Sequence, residues 1–512
     1  MSAAEPEVRV TAGVVRGRSE GGLAVFRGIP YAAPPLDAAR FRAPQPVDGW
    51  DGVRDAGAFG PPPPQDATMS GRRAGADLFA GTGDDWLTVN VWTPTPDPGA
   101  ALPVMVWIHG GAYKHGFSGS PGYDARHIAH GGDVVFVSLN YRLGVEGFAH
   151  LDGAPANRGL LDQVAALHWV QQNIAAFGGD PARVTVLGDS AGAGSIAALM
   201  VMPRAKGLFQ RAVGQSLPGT YLSAALARDV AEAVAAEAGM RPTAADLSRT
   251  DPRQLPAVGH TTEAKMRQHA DRWGVFAHTL SLFSPVVDGD VLPVAPWEGL
   301  AAGAGRDVDL IIGHNRDEYR TFVLLSGRLG TITGEEAAEA LRVFGPGGDA
   351  EDAYRAAYPG ASPGRLFELV QSDWLFRMPT LHLAQAQASG GGRVYLYDLT
   401  WQSPGQGGAL GACHGLDGPL LFGTYDAHLG PAAIGPQPTA DTLELTGQIQ
   451  TAWKAFAITG DPGWPAYDPH QRLTRVFDAP GSVAPYPEEA SRLLWQDHRF
   501  TALQLDAPEH RP

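Results

Sequence analysis

The chain has 512 residues and one cysteine, Cys413, so no internal disulfide can form, which suits a reducing compartment. Its formal net charge of −15 argues against a nucleic-acid partner, which would need a basic face. The first residues, MSAAEPEVRVTAG, lack the apolar run of roughly 7–15 residues of a secretory signal, and no stretch approaches the ~18 apolar residues of a membrane span; a cytoplasmic location is expected.

Four consecutive prolines at 61–64 open a polar stretch reaching about residue 83, a surface excursion that either covers an active site or simply connects elements. PVMVWI at 103–108 predicts a strand ending at His109-Gly110-Gly111, and VVFVSL at 134–139 predicts a second. Apolar residues recur at helical spacing over 160–176, and Phe177-Gly178-Gly179-Asp180-Pro181 stops that helix. RVTVL at 183–187 predicts a strand that feeds at once into the small-residue helix AGAGSIAALM. Strands at VDLII (308–312) and GRVYLYDL (392–399) follow, while about 221–280 and 335–390 read as helical. Strand–helix–strand alternation predicts an α/β protein with a central, mostly parallel sheet flanked by helices. The two helical stretches are expected to be cap insertions on one catalytic domain spanning 1–512.

Two segments match G-x-S-x-G, around Ser190 and Ser362. A nucleophile elbow is a tight strand-to-helix turn, and the residue after the serine supplies an N–H to the oxyanion hole. Ser190 follows a predicted strand, precedes a predicted helix and is followed by Ala191. Ser362 is followed by Pro363, which has no N–H, so it is the decoy. The helix after Ser190 also points its positive end at the developing oxyanion. His109-Gly110-Gly111-Ala112-Tyr113 follows a strand upstream of the elbow, where the second part of such a hole belongs. The serine requires a base, and the base an orienting acid, in the chain order Ser, Asp or Glu, His. Ten histidines follow Ser190; the glycine-flanked Gly411-Ala412-Cys413-His414-Gly415 favours His414. Asp317 and Glu318, just past the VDLII run, are both placed to be the acid.

These segments together resemble the type-B carboxylesterase and cholinesterase family, of α/β-hydrolase fold, over residues 10–480 or so. The likeness rests on FRGIPYAAPP (26–35), Arg40-Phe41, LTVNVWTP (87–94), WIHGGAY (107–113), NYRLGVEGF (140–148), NRGLLDQVAALHWVQQNIAAFGGDP (157–181), VLGDSAG (186–192) and GACHGLDGPLLFG (411–423), with the feel of bacterial members. The resemblance implies Ser190 as nucleophile, His414 as base, Glu318 rather than Asp317 as acid, and the N–H groups of Gly111, Ala112 and Ala191 as oxyanion donors. It also implies a buried polar cluster of Asp189, Ser216 and Asp417, in which Ser216 is expected between the two acids with ordered water filling the space left by the shorter aspartates. The chain departs from the family where Asp189 replaces a usual Glu and Trp86 replaces a usual Cys.

The expected activity is hydrolysis of small-molecule carboxylic esters through an acyl-enzyme, with no metal or organic cofactor. A carbamate or aryl-amide hydrolase would use the same residues, and a non-catalytic interaction module is the reading from another class. Tyr113, Phe376 and Trp401 are candidate pocket aromatics. The natural substrate and the oligomeric state are not written in the sequence.

Overall fold

The computed structural model describes residues 5–66, 83–435 and 437–506. Most of the polar stretch that follows the four prolines, residues 67–82, lies outside the described residues. The chain forms two compact units: residues 1–212, 221–295 and 502–512, and residues 213–220 and 296–501.

In the first unit, Gly179–Asp189 lies parallel to Leu102–Ile108, which lies parallel to Val135–Leu139. Thr88–Thr93 and then Leu23–Pro30 continue antiparallel. Leu102–Ile108 and Val135–Leu139 are buried almost throughout, as expected of parallel strands covered on both faces. Their β-branched residues, Val104, Val106, Ile108, Val135 and Val137, suit that pleated, packed environment. The helix Arg158–Asn173 is held by its buried face, and Arg142 anchors it through a fully buried ion pair to Asp162 at 2.6 Å. The elbow strand is longer than RVTVL, running the whole of Gly179–Asp189, and it passes into the buried helix Ala191–Val201.

In the second unit, Asp309–Asn315 and Val394–Leu399 pair in parallel. Leu473–Phe477 adds a parallel strand and Ser482–Pro485 an antiparallel edge. The expected helical stretches are helical. The first contains Ala224–Glu237 and Leu255–Ala264. The second contains Gly334–Phe344, Ala350–Ala357, Pro363–Ser372 and Met378–Ser389. The decoy serine has a structural job: Ser362 Oγ accepts the Arg365 N–H at 3.3 Å and caps Pro363–Ser372. Among the described residues, no helix is long and apolar enough to cross a membrane.

Candidate active site

The first unit carries the expected elbow at Ser190 and the loop at 109–113 expected to form the oxyanion hole. Ser190 sits at φ 52°, ψ −118°, a backbone conformation that a non-glycine residue adopts only where the surroundings enforce it. The flanking glycines are a packing necessity, since a Cβ on either Gly188 or Gly192 would run into the carbonyl oxygen of Ile108. Ala191 is buried at the start of its helix, so its N–H belongs to the unpaired first turn. The loop after Leu102–Ile108 runs through positive φ at three consecutive residues, Gly111, Ala112 and Tyr113 (113°, 53° and 58°), of which only the glycine adopts it without strain. Hydrogen bonds hold it there. Tyr113 O accepts from Gly144 N (2.7 Å), Ala112 O from Ser281 Oγ (2.8 Å), and His109 O from Tyr141 Oη (2.8 Å). Asp189 ties this loop to the elbow, its Oδ1 accepting the Gly110 N–H at 2.8 Å.

The second unit carries the histidine and both candidate acids. His414 Nδ1 lies 2.6 Å from Glu318 Oε2, and Glu318 is fully buried. Glu318 Oε1 accepts the Asn315 N–H at 2.8 Å, so both carboxylate oxygens are occupied. Asp317 faces away, toward Arg320 (3.2 Å) and Arg365 (2.9 Å). Burial draws its carboxyl upward, but Arg320, Arg316 and Arg365 outweigh that and leave it below the usual range. Asp317 also accepts the Ala412 N–H at 3.1 Å, so it braces the histidine loop rather than the imidazole. Asn315 adds a second brace, its Nδ2 donating to the Cys413 carbonyl at 2.8 Å. Cys413 is buried, which pushes its thiol up to about 12.

Of the expected polar cluster, Asp189 belongs to the first unit and Ser216 and Asp417 to the second. Asp417 is engaged by Gln215 Nε2 (2.8 Å) and Tyr397 Oη (3.1 Å), whereas the buried Ser216 hydroxyl has no hydrogen-bond partner among the described residues. Neighbouring side chains at the end of Arg211–Gln215 point apart, and Ser216 turns into positive φ (58°), so the glutamine is the one that reaches the acid. Burial holds the Asp417 carboxyl above its ordinary value, with Glu318 adding to the effect and Gln215 opposing it. Gln215, Asn315 and Tyr397 were not found from sequence, because an amide or phenol in a buried strand carries no motif.

The three candidate pocket aromatics separate. Phe376 stacks on the His414 imidazole, centroids 4.3 Å apart, and Phe322 touches the same ring at 5.3 Å. Tyr113 is buried against Phe148, and burial raises its phenol. Trp401 is buried two residues beyond Val394–Leu399, its backbone N–H donating to the Phe477 carbonyl. Beside the oxyanion loop lies a cleft with apolar walls from Leu143, Leu255 and Phe283 and polar ones from Lys114, His115 and Glu263. No group of three or more potential metal-ligating side chains occurs among the described residues.

The family model described as "Carboxylesterase family" matches residues 4–342. The para-nitrobenzyl esterase of Bacillus subtilis is 35% identical over 94% of this chain and 96% of its own length. A phenmedipham hydrolase of Pseudarthrobacter oxydans is 37% identical over 90% of this chain and 93% of its own. Among solved structures, the carboxylesterase EST55 of Geobacillus stearothermophilus matches with a TM-score of 0.83 and 34% identity, over 96% of this chain and 100% of that one. A serine at positive φ between strand and helix, a glycine-containing loop beside it and a histidine–carboxylate pair occur in a chain whose fold is that of these enzymes, and the chain belongs to the carboxylesterase family, with its α/β-hydrolase fold.

Proposed function

We propose that this carboxylic ester hydrolase works through an acyl-enzyme on Ser190, with His414 as general base, Glu318 as the acid that orients it, and the N–H groups of Gly111, Ala112 and Ala191 as oxyanion donors. The observation that carries the reading is the 2.6 Å bond between His414 Nδ1 and the fully buried Glu318. It fixes the tautomer, because a carboxylate accepts and Nδ1 must donate, which leaves Nε2 with a lone pair. Nε2 takes the Ser190 proton as Oγ bonds to the ester carbonyl carbon, and the carbonyl electrons move onto the oxygen. The imidazolium then gives that proton to the departing alcohol as the C–O bond breaks. Water, deprotonated by the same nitrogen, repeats the sequence on the acyl-enzyme and frees the acid. Asp189 and Asp417 support the two halves of this machinery through Gly110 and through Gln215 and Tyr397.

The substrate is a small-molecule ester, and similarity to a para-nitrobenzyl esterase supports aromatic esters. Similarity to a phenmedipham hydrolase supports the second reading, turnover of carbamates by the same residues. The net charge supports the absence of a nucleic-acid partner, and the single buried cysteine fits a reducing, cytoplasmic setting. Hydrolysis of p-nitrophenyl esters of graded acyl length, with matched carbamates and anilides, ranks these readings. An organophosphate should modify one serine, Ser190; labelling at another residue, with activity lost, would remove the assignment.

A further inference from the structure

Ala112 and Tyr113 are consecutive non-glycine residues in the left-handed region, at φ 53° and 58°. L-residues hold that conformation only where contacts enforce it. The peptide that bears the Ala112 N–H also bears the Gly111 carbonyl, and the two groups of a trans peptide point in opposite directions. That carbonyl accepts the N–H groups of Lys114 (3.1 Å) and His115 (2.9 Å), so the 114–115 backbone decides where the Ala112 N–H aims. On its other side Ala112 is held through its own carbonyl, which accepts the Ser281 hydroxyl at 2.8 Å. Ser281 comes from an irregular connection between Gly274–His278 and Val286–Val287, and that connection is gripped on both sides of the serine. Lys114 Nζ donates to the Leu280 carbonyl at 3.0 Å, and Glu263 Oε2 accepts the Leu282 N–H at 3.4 Å. Lys114 Nζ also donates to both Glu263 oxygens (2.5 and 2.6 Å), and Glu263 stands in the last turn of the helix Leu255–Ala264. These contacts close a ring through residues 112–115, 263 and 280–282, all in the first unit. The ion pair lines the cleft beside the 109–113 loop, its two side chains 20% and 21% exposed.

We propose that Lys114, Glu263 and Ser281 are positioning residues that aim the Ala112 N–H. The proposal rests on the reading of Ala112 as an oxyanion donor. The ion pair holds the 114–115 backbone against the 280–282 segment, and Ser281 carries that fit to the strained residue. A carbonyl oxygen gains its full negative charge only as the serine adds to the carbon. An N–H turned off line therefore weakens the tetrahedral adduct far more than the bound ester.

The test is kcat/KM on p-nitrophenyl acetate together with the inhibition constants of two ketones of one skeleton. A trifluoromethyl ketone adds the serine and places an oxyanion in the hole, whereas the methyl ketone stays planar. In Ser281→Ala, kcat/KM should fall roughly tenfold, short of the about 10²–10³-fold of a removed donor. The trifluoromethyl ketone should weaken by the same factor while the methyl ketone is unmoved. Ser281→Thr keeps the hydroxyl and should recover most of the loss. Glu263→Gln and Lys114→Met should also weaken the trifluoromethyl ketone selectively. The double variant Glu263→Gln/Ser281→Ala should lose less than the product of the two, because both act on one donor. Equal weakening of the two ketones, or a lower urea midpoint with both constants unchanged, would overturn the proposal. So would losses that multiply. Should Glu263→Gln or Lys114→Met not fold, the alanine–threonine pair at 281 decides alone. Gly110→Ala separates the two levels: wild-type kcat/KM there would remove the oxyanion reading itself, whereas a slow Gly110→Ala beside an unaffected Ser281→Ala would remove only the positioning role.

Discussion

At the scale of single residues, two serines share one motif and differ in surroundings. Ser190 is strained at the mouth of a buried helix, and Ser362 caps an exposed helix start. Ser190→Ala is expected to lower kcat about a million-fold on aryl esters. Ser362→Ala should leave kcat and KM unchanged while costing about 1 kcal/mol in urea unfolding. Comparable kinetic losses in both would contradict the elbow assignment. Glu318→Gln should drop kcat about 10⁴-fold by spoiling the tautomer. Asp317→Asn should act through the loop instead, with a lower unfolding midpoint and a smaller kinetic loss; the reverse order would exchange the two acids' roles. The elbow was legible because its chemistry demands small residues at fixed offsets. The choice between Asp317 and Glu318 was not legible from local pattern, since it depends on Arg320 and Arg365 gathering on one side of the strand end.

At the scale of elements, the long apolar strands at Leu102–Ile108, Val135–Leu139, Asp309–Asn315 and Val394–Leu399 were readable because burial on both faces writes continuous apolar runs. The short strands Glu7–Val10 and Gly13–Arg16 alternate over only four residues, and Leu473–Phe477 shows neither alternation nor a continuous buried run, so none gives a comparable signal. The π-turn at Asp373–Arg377, where the Met378 N–H donates to the Asp373 carbonyl five residues back, is silent for a different reason: one residue of extra helix leaves the apolar spacing on either side intact. The oxyanion loop makes its own prediction. A Cβ on Gly110 would stand 2.8 Å from both the carbonyl oxygen and Oδ1 of Asp189, so Gly110→Ala must push the loop off the elbow. We expect kcat to fall about 10²–10³-fold, the scale of a lost oxyanion donor, with KM changed far less. An enzyme that instead kept kcat and lost only affinity would show that this contact does not set the oxyanion geometry.

At the scale of the whole molecule, histidines buried in the neutral state tie stability to pH. Burial brings His115 and His382 down to about 4 and His314 to about 3. Between those values and about 6.5 the unfolded chain binds a proton that the native state refuses. Each therefore contributes stability that is complete above about pH 6.5 and is lost as pH falls toward 4, at up to about 1.4 kcal/mol per pH unit. The buried carboxyls Asp373, Asp398 and Asp417, held up by desolvation, act in the opposite sense, so the difference between wild type and His382→Gln is the informative measurement. Urea unfolding at stepped pH should show a shallower fall for His382→Gln between pH 6.5 and 4; parallel curves would mean that the histidine titrates alike in both states. The protein also carries its own stopwatch. Its one thiol sits immediately before His414, buried and reluctant to ionise, so a thiol-reactive dye can reach it only when the segment bearing His414 comes away from its packing. Dye uptake timed in sub-denaturing urea would thus clock how often that segment breathes. Set against loss of turnover over the same urea range, it would tell whether the enzyme first falls silent by a local opening or by unfolding as a whole.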